Sequence, residues 1–174
     1  MAHKEQIDYC LSVKDRFPQM FSNKNVLDIG SLDINGNNRY LFEDCNYIGI
    51  DLAEGKNVDI ISKGHEYKSK TKFDLIISTE CFEHDKYWKE TLANAYNLLK
   101  KGGMLLFTCA TTGREEHGTS RQHGFASPHT QDYYMNLNIS NIETVFNFNI
   151  DFSNHEIIES HSGMDDLYFY GIKK

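Results

Sequence analysis

The chain has 174 residues, 40% of them hydrophobic, and a formal charge of −7; that length fits one domain with a buried core and little room for a second folding unit. The negative balance argues against tracking nucleic-acid phosphates, which takes clustered Lys and Arg, and no apolar run approaches the roughly 18 residues of a membrane span. Cys10, Cys45, Cys81 and Cys109 lie far apart without a C-x-x-C pair, so neither a zinc site nor a disulfide framework is expected and the thiols should be reduced.

The N-terminus MAHKEQIDYC lacks the apolar centre of a signal peptide, so the expected compartment is the cytoplasm. Residues 3–20 set Ile7, Cys10, Leu11 and Phe17 at roughly helical spacing, and Pro18 should end this leading helix within a segment spanning residues 1–22. A first strand follows at about 25–29, then a glycine loop, a helix at about 36–43, a second strand at about 46–51 and a short third strand at 58–61. Residues 63–72, KGHEYKSKTK, are locally basic and read as a solvated loop. Phe73 to Ser78 is continuously apolar apart from Asp74, the pattern of a central parallel strand covered on both faces.

Trp88, Leu92, Ala95 and Leu99 mark one face of an amphipathic helix. Lys100 and Lys101 are expected at its C-terminus, with Gly102 and Gly103 as a left-handed cap before a strand from Met104 to Cys109. Residues 110–129, ATTGREEHGTSRQHGFASPH, are polar and without a sustained period; a loop of this length is often functional. Thr130 is expected to cap a short helix, Ser140 with Glu143 to form a capping box for a helix at about 141–147, and two strands to follow near 148–159 and 166–173.

The most informative stretch is VLDIGSLDINGN at 26–37 followed by YIGID ending at Asp51. In an open parallel sheet, side chains at the carboxyl ends of neighbouring strands converge on one crevice, so Asp28 and Asp51 should face the same ligand. Gly30 and Gly36 allow a tight turn and close backbone approach, and Asp51, 21 residues beyond Gly30, stands where a carboxylate accepts ribose hydroxyls. The loop reads G-S-L-D-I-N-G, unlike the G-x-G-x-x-G of a dinucleotide site.

These residues resemble motif I of class I S-adenosylmethionine-dependent methyltransferases, in the G-S-x-D-x-N-G form of small bacterial members. YIGID is similar to the ribose-binding second strand, FDLIISTECFEH to the fourth strand, and LLKKGGMLLFT to the helix and strand after it. The resemblance implies a Rossmann-like α/β three-layer sandwich whose seven-stranded, mostly parallel sheet ends in an antiparallel C-terminal hairpin. It implies S-adenosyl-L-methionine as cofactor and methyl transfer to an acceptor. With no appended substrate domain, the expected acceptor is a small molecule such as a sugar or natural-product precursor, with no nucleic-acid or membrane partner; oligomeric state is left open. Two other classes stay open: a catalytically silent cofactor-binding module and a nucleotide-dependent oxidoreductase on a similar sheet.

By that resemblance, Asp28 helps hold the methionine amino group and Gly30, Ser31 and Gly36 pack near the methionine moiety. Asp51 takes the ribose, Leu52 offers an apolar surface to adenine, and Thr79 and Glu80 end the fourth strand beside the reacting portion. Asp28 also reads as a strand-end cap, and Asp51 as a turn cap. The chain departs from the family in having Leu32 where D-x-G-x-G has its middle glycine, and Ser62, Lys63 and Gly64 where many relatives carry an adenine-binding acid. Adenine contacts are therefore expected from backbone, Ser62 or His65.

Glu83-His84 matches an E-H pair frequent in the family. His84 is a candidate general base and equally a cap for the following helix. His117, His123 and His129 share the long loop with Arg114, Glu115, Glu116 and Arg121. Their H-x5-H-x5-H spacing matches no common metal pattern, so no metal is expected. The loop reads as a substrate lid, with His123 and His129 as further catalytic candidates and Tyr133 and Tyr134 near the opening, or as a solvated loop. Methyl transfer from a sulfonium is an in-line displacement driven by alignment, so a dedicated base is optional.

Overall fold

The computed structural model describes residues 3–174; the first two residues of the predicted leading segment lie outside them. The strands are β1 (Asn25–Ile29), β2 (Asn46–Asp51), β3 (Ile60–Ile61), β4 (Phe73–Thr79), β5 (Leu99–Ala110), β6 (Phe152–Ser160) and β7 (Asp166–Lys173). They form one sheet in the order β3-β2-β1-β4-β5-β7-β6. The pairs from β3 to β5 are parallel, whereas β7 runs antiparallel to both β5 and β6. This is the predicted Rossmann-like sheet with its C-terminal hairpin. In β1 and β4 apolar residues are buried on both faces, which requires cover on both sides of the sheet.

That cover comes from α1 (Lys4–Arg16) on one face and α2 (Trp88–Leu98), α3 (Ile139–Glu143) and α4 (Phe148–Asp151) on the other. Alternation sorts the strands: Val26, Leu75, Leu106 and Tyr168 join Tyr9, Cys10 and Val13 of α1, while Leu27, Ile76, Phe107 and Phe169 join Trp88, Leu92 and Ala95 of α2. Tyr9 stacks on Tyr168 with ring centroids 4.6 Å apart, fixing α1 across the C-terminal side of the sheet. Burying each such side chain is worth about 1.5–3 kcal/mol. The helix stops at Arg16 because Pro18 bars Phe17 from helical geometry, and Phe17 sits at φ −133°, ψ 52°.

Several local expectations are corrected. No helix forms over 36–43; a single 3-10 turn at Arg39–Leu41 stands there. Its run is rich in Asn and Gly, and Asp33 captures the Gly36 amide at 2.7 Å and the Asn37 side chain at 2.9 Å, a local turn that competes with helix. Lys100 does not cap α2: β5 starts at Leu99, and Lys100 Nζ donates to both oxygens of Asp74 at 2.8 Å. The terminal carbonyls of α2 are taken instead by Lys173 Nζ, on Tyr96 O at 2.6 Å, and by Lys72 Nζ, on Asn97 O at 2.6 Å. The cations come from remote segments, β7 and the loop before β4, which periodicity cannot foresee.

Asn138 and Asn141, not Ser140 and Glu143, make the capping box of α3. Thr130 starts no helix, the third strand is only Ile60–Ile61, and residues 148–151 are helical before β6 begins. The four cysteines are unpaired. Among the described residues no helix is long and apolar enough to cross a membrane.

Candidate active site

The carboxyl ends of β1, β2 and β4 open on one cleft of about 720 Å³, within the roughly 300–1,000 Å³ of small-molecule and cofactor sites. Every residue the sequence assigned to cofactor binding lines it: Asp28, Gly30, Ser31, Gly36, Asp51, Leu52, Ser62, Thr79 and Glu80. Of the catalytic candidates, His84 and His129 line it and His123 does not. His123 is exposed, at φ 50°, with its ring against Phe125.

The glycine loop is held by short bonds to the neighbouring strands. Gly30 N and Ser31 N both donate to Ile50 O, at 3.0 and 3.1 Å, and Asn57 Nδ2 donates to Ser31 O at 2.8 Å. Gly30 has φ +78°, and a Cβ there would lie 2.4 Å from Cys81 Sγ; the turn therefore needs glycine for both conformation and space. Leu32, the residue at the family's middle-glycine position, donates its amide to Asp51 Oδ2 at 2.9 Å. Its side chain packs where Gly55 leaves room, since a Cβ on Gly55 would meet Leu32 Cδ1 at 2.3 Å.

Asp51 is half-buried, with Oδ1 accepting Leu52 N at 2.7 Å as well. The carboxylate thus ties the loop after β1 to the end of β2, and each oxygen keeps a lone pair for a further donor. Asp28 is 1% exposed. It accepts Asn38 Nδ2 at 3.3 Å and the Tyr47 hydroxyl, and no cation forms a salt bridge with it among the described residues. Burial pushes its carboxyl up to about 6, partly offset by the Tyr47 and Asn38 bonds and reinforced by the charge of Asp51. Both carboxylates therefore act on one space.

Asn38 also donates to Thr79 Oγ1 at 3.1 Å, bridging the ends of β1 and β4. Neither Asn38 nor Tyr47 stood out in the sequence. Tyr47 had a usable signal, because it shares a face of β2 with Gly49, which pairs with Asp28. Gln6, Ile7 and Tyr40 also reach the cleft. Leu52 is 40% exposed on its wall, and beyond it Ser62 and His65 line the same end, with His65 packed on Tyr87 at 4.3 Å.

Glu80 follows β4 in a left-handed conformation, φ +51°, uncommon for a residue other than glycine. That twist turns its carboxylate into a buried network. Thr108 Oγ1 donates to Oε1 at 2.8 Å, His3 Nε2 lies 3.4 Å from Oε2, and Arg114 lies at 3.8 Å. Arg114 also pairs with Asp166 at 2.8 Å, and His3 Nε2 stands 3.3 Å from Asp166. Burial opposes ionisation of Glu80, but the His3 hydrogen bond and the surrounding cations hold it well below the ordinary carboxylate range. Burial likewise lowers His3, yet the bonds and charges of Asp166 and Glu80 raise it to about 10. Arg114, on the loop whose sequence reads as a substrate lid, is part of this structural network.

Next to it Glu83 is fully buried, and desolvation with the Glu80 charge pushes its carboxyl up to about 8. Burial and the neighbouring His117 push the His84 imidazole down to about 3. The long loop divides its residues: Ala126 to His129 wall the cleft with Tyr133, His117 and Arg114 point inward, and Arg121 pairs with Glu116 at the surface at 2.7 Å.

The methyltransferase domain family matches residues 1–148. No curated protein matches the chain. Among solved structures, phosphoethanolamine N-methyltransferase 2 of Haemonchus contortus, in complex with S-adenosyl-L-methionine, superposes with a TM-score of 0.65 at 18% identity, over 95% of this chain and 52% of that one. The chain thus spans about half the length of that relative. The 1,6-didemethyltoxoflavin-N1-methyltransferase of Burkholderia thailandensis, with S-adenosylhomocysteine, gives 0.66 at 13% identity over 96% of this chain and 77% of that one. The N-methyltransferase NodS of Bradyrhizobium japonicum, with S-adenosylhomocysteine, gives 0.64 at 14% identity over 97% and 87%. At such identities the structural likeness shows the fold alone, whereas the family match extends over 148 of 174 residues, and the chain belongs to the methyltransferase domain family.

Proposed function

We propose that the cleft binds S-adenosyl-L-methionine and that the chain, acting as one class I methyltransferase domain, moves its methyl group to a small-molecule acceptor. The observation that carries this reading is the convergence of Asp28 and Asp51 on one cleft, with Asp28 buried and in no ion pair among the described residues. A ligand bearing an ammonium group and a vicinal diol complements that pair. On this reading Asp51 accepts the ribose hydroxyls with its remaining lone pairs while its other bonds keep the loop rigid. Asp28 takes the ammonium group, Gly30, Ser31 and Gly36 let the backbone follow the methionine portion, and Leu52 supports adenine, with Ser62 and His65 at its edge. Thr79 and the turn at Glu80 close the side nearest the sulfur.

The bound sulfonium supplies a methyl group already activated by its positive charge. The protein's work is alignment and exclusion of water. The opening between His129 and Tyr133 is where the acceptor enters. His84, with its basicity suppressed by burial, is a poor proton acceptor at neutral pH, so the reading assigns no dedicated base and leaves His129 at the rim to orient the acceptor. His123, off the cleft, has no part in it. The expected partner is a small molecule, in keeping with the small-molecule methyltransferases of similar fold and a net charge of −7, and the expected compartment is the cytoplasm.

A panel of small hydroxyl- and amine-bearing acceptors, incubated with methyl-labelled cofactor, tests this reading. Label in an acceptor supports it; binding of S-adenosylhomocysteine with transfer to none would favour a silent cofactor-binding module.

A further inference from the structure

Behind the cleft wall, Glu83, His84 and His117 form a buried cluster in which one ligand atom from each residue lies within 4.8 Å of the other two. Among the described residues, both oxygens of Glu83, both ring nitrogens of His84 and Nε2 of His117 lack a hydrogen-bond partner. Buried polar groups are otherwise almost always paired, and each orphan costs about 1–3 kcal/mol. One such atom from each residue converges on a common space, and together they call for a shared partner.

The neighbouring cluster of His3, Glu80 and Asp166 has comparable spacing and provides an internal contrast. There His3 Nε2 and Glu80 Oε2 also lack a hydrogen bond of good geometry, but ion pairs through His3 and the Arg114 guanidinium already balance the carboxylates. No cation plays that part for Glu83 among the described residues.

Two details of the loop suit a metal ligand set. His117 Nδ1 lies 3.1 Å from Glu115 O, and donating to that carbonyl puts the proton on Nδ1 and leaves the Nε2 lone pair bare. Fixing a ligand imidazole by a carbonyl on its other nitrogen is the usual outer-shell arrangement of metal-bound histidine. Gly118 has φ +68°, and a Cβ there would lie 2.6 Å from His84 Cε1; the glycine lets His84 come beside His117, with ring centroids 5.0 Å apart. Tyr134 covers both rings, at 5.4 and 5.0 Å.

We infer that Glu83, His84 and His117 hold a divalent first-row transition-metal ion of the zinc and cobalt type. Two imidazoles and one carboxylate are the borderline donors such ions prefer, and three protein ligands leave a coordination position open. Ligands about 2.1 Å from a tetrahedral ion stand roughly 3.4 Å apart, so binding draws the ligand atoms, now within 4.8 Å of one another, together by at most about 1.4 Å. His84 alone of the three lines the cleft, which puts the ion directly behind the acceptor end. Local spacing does not show it, because the three histidines close together in sequence, His117, His123 and His129, are not the combination the fold assembles.

The inference stands apart from the cofactor reading and is tested without it. The chelator-stripped chain is titrated with Co2+ and followed by visible absorption. One equivalent should bind with the d–d bands of a nitrogen–oxygen site, and one equivalent of Zn2+ should abolish them. His117→Gln and Glu83→Gln should each weaken Co2+ binding by about tenfold or more, with the far-ultraviolet circular dichroism of wild type and, because neither residue lines the cleft, its affinity for S-adenosylhomocysteine. If a variant does not fold, proton NMR of the wild-type Co2+ form decides: exchangeable, paramagnetically shifted imidazole N–H signals from two histidines support the site. A spectrum no different from free Co2+, no shifted imidazole signals, or bands that persist unchanged in His117→Gln overturns it.

Discussion

Replacing Asp28 with asparagine separates a binding role from a structural one, because the two predict opposite changes in stability. The carboxylate is 1% exposed, held only by Asn38 and Tyr47, and its pKa is pushed up to about 6 from an ordinary 3.8, first by burial. At 1.36 kcal/mol per pKa unit, keeping it ionised costs the fold about 3 kcal/mol. The sign follows from proton uptake. Between pH 3.8 and 6 the folded chain holds the proton that the unfolded chain releases, so this group's contribution to stability falls as pH rises and reaches its full cost above about 6. Asparagine has nearly the same shape and no charge; its oxygen still accepts Asn38 Nδ2 and its amide can donate to the Tyr47 oxygen. Urea denaturation of Asp28→Asn should therefore show a gain of about 1–3 kcal/mol at pH 7 that vanishes near pH 4. Affinity for S-adenosylhomocysteine should drop about tenfold or more, as a charge-assisted bond to its ammonium group is lost. A variant less stable than wild type at pH 7 would refute the reasoning and make Asp28 a structural cap.

Asp51→Ala removes the acceptor of two backbone amides, Leu32 N and Leu52 N, and should cost about 1–2 kcal/mol in denaturant unfolding and a further 1–3 kcal/mol in S-adenosylhomocysteine affinity by calorimetry; unchanged affinity would remove its ribose role. Gly30→Ala combines a left-handed backbone with a Cβ 2.4 Å from Cys81 Sγ, and a loss of about 2–4 kcal/mol in thermal unfolding is expected, whereas wild-type stability would show that the loop relaxes freely. Arg114→Met leaves buried Asp166 and Glu80 with His3 as their one ion-pair partner among the described residues and should cost about 3–5 kcal/mol; a loss below about 1 kcal/mol would mean that the network is not held by this guanidinium.

What the sequence revealed and what it concealed divide along a physical line. Strands buried on both faces announce themselves as apolar runs, so β1, β2 and β4 were placed within a residue, and with them the side chains that strand ends aim into the cleft, Asp28, Asp51 and Thr79. Contacts made across the fold left no local trace. Lys173 reaching the carbonyls of α2, Asn38 bridging Asp28 and Thr79, and Arg114 turning inward to Asp166 each join segments 41 to 77 residues apart. The expected helix at 36–43 failed because Asp33 offers a nearby amide a better-placed acceptor than the helix does. The meeting of His84 and His117 is of the same kind: they come together through the ends of two adjacent strands, while His123, only six residues from His117, faces solvent.

The central claim is that a single adenosyl ligand of the sulfonium type occupies the space between the ends of β1 and β2. Isothermal titration of the chain with S-adenosylhomocysteine and, separately, with NAD tests it most directly. Saturable one-to-one binding of the first with none of the second is the predicted result; heat from NAD alone, or from neither compound, would contradict it.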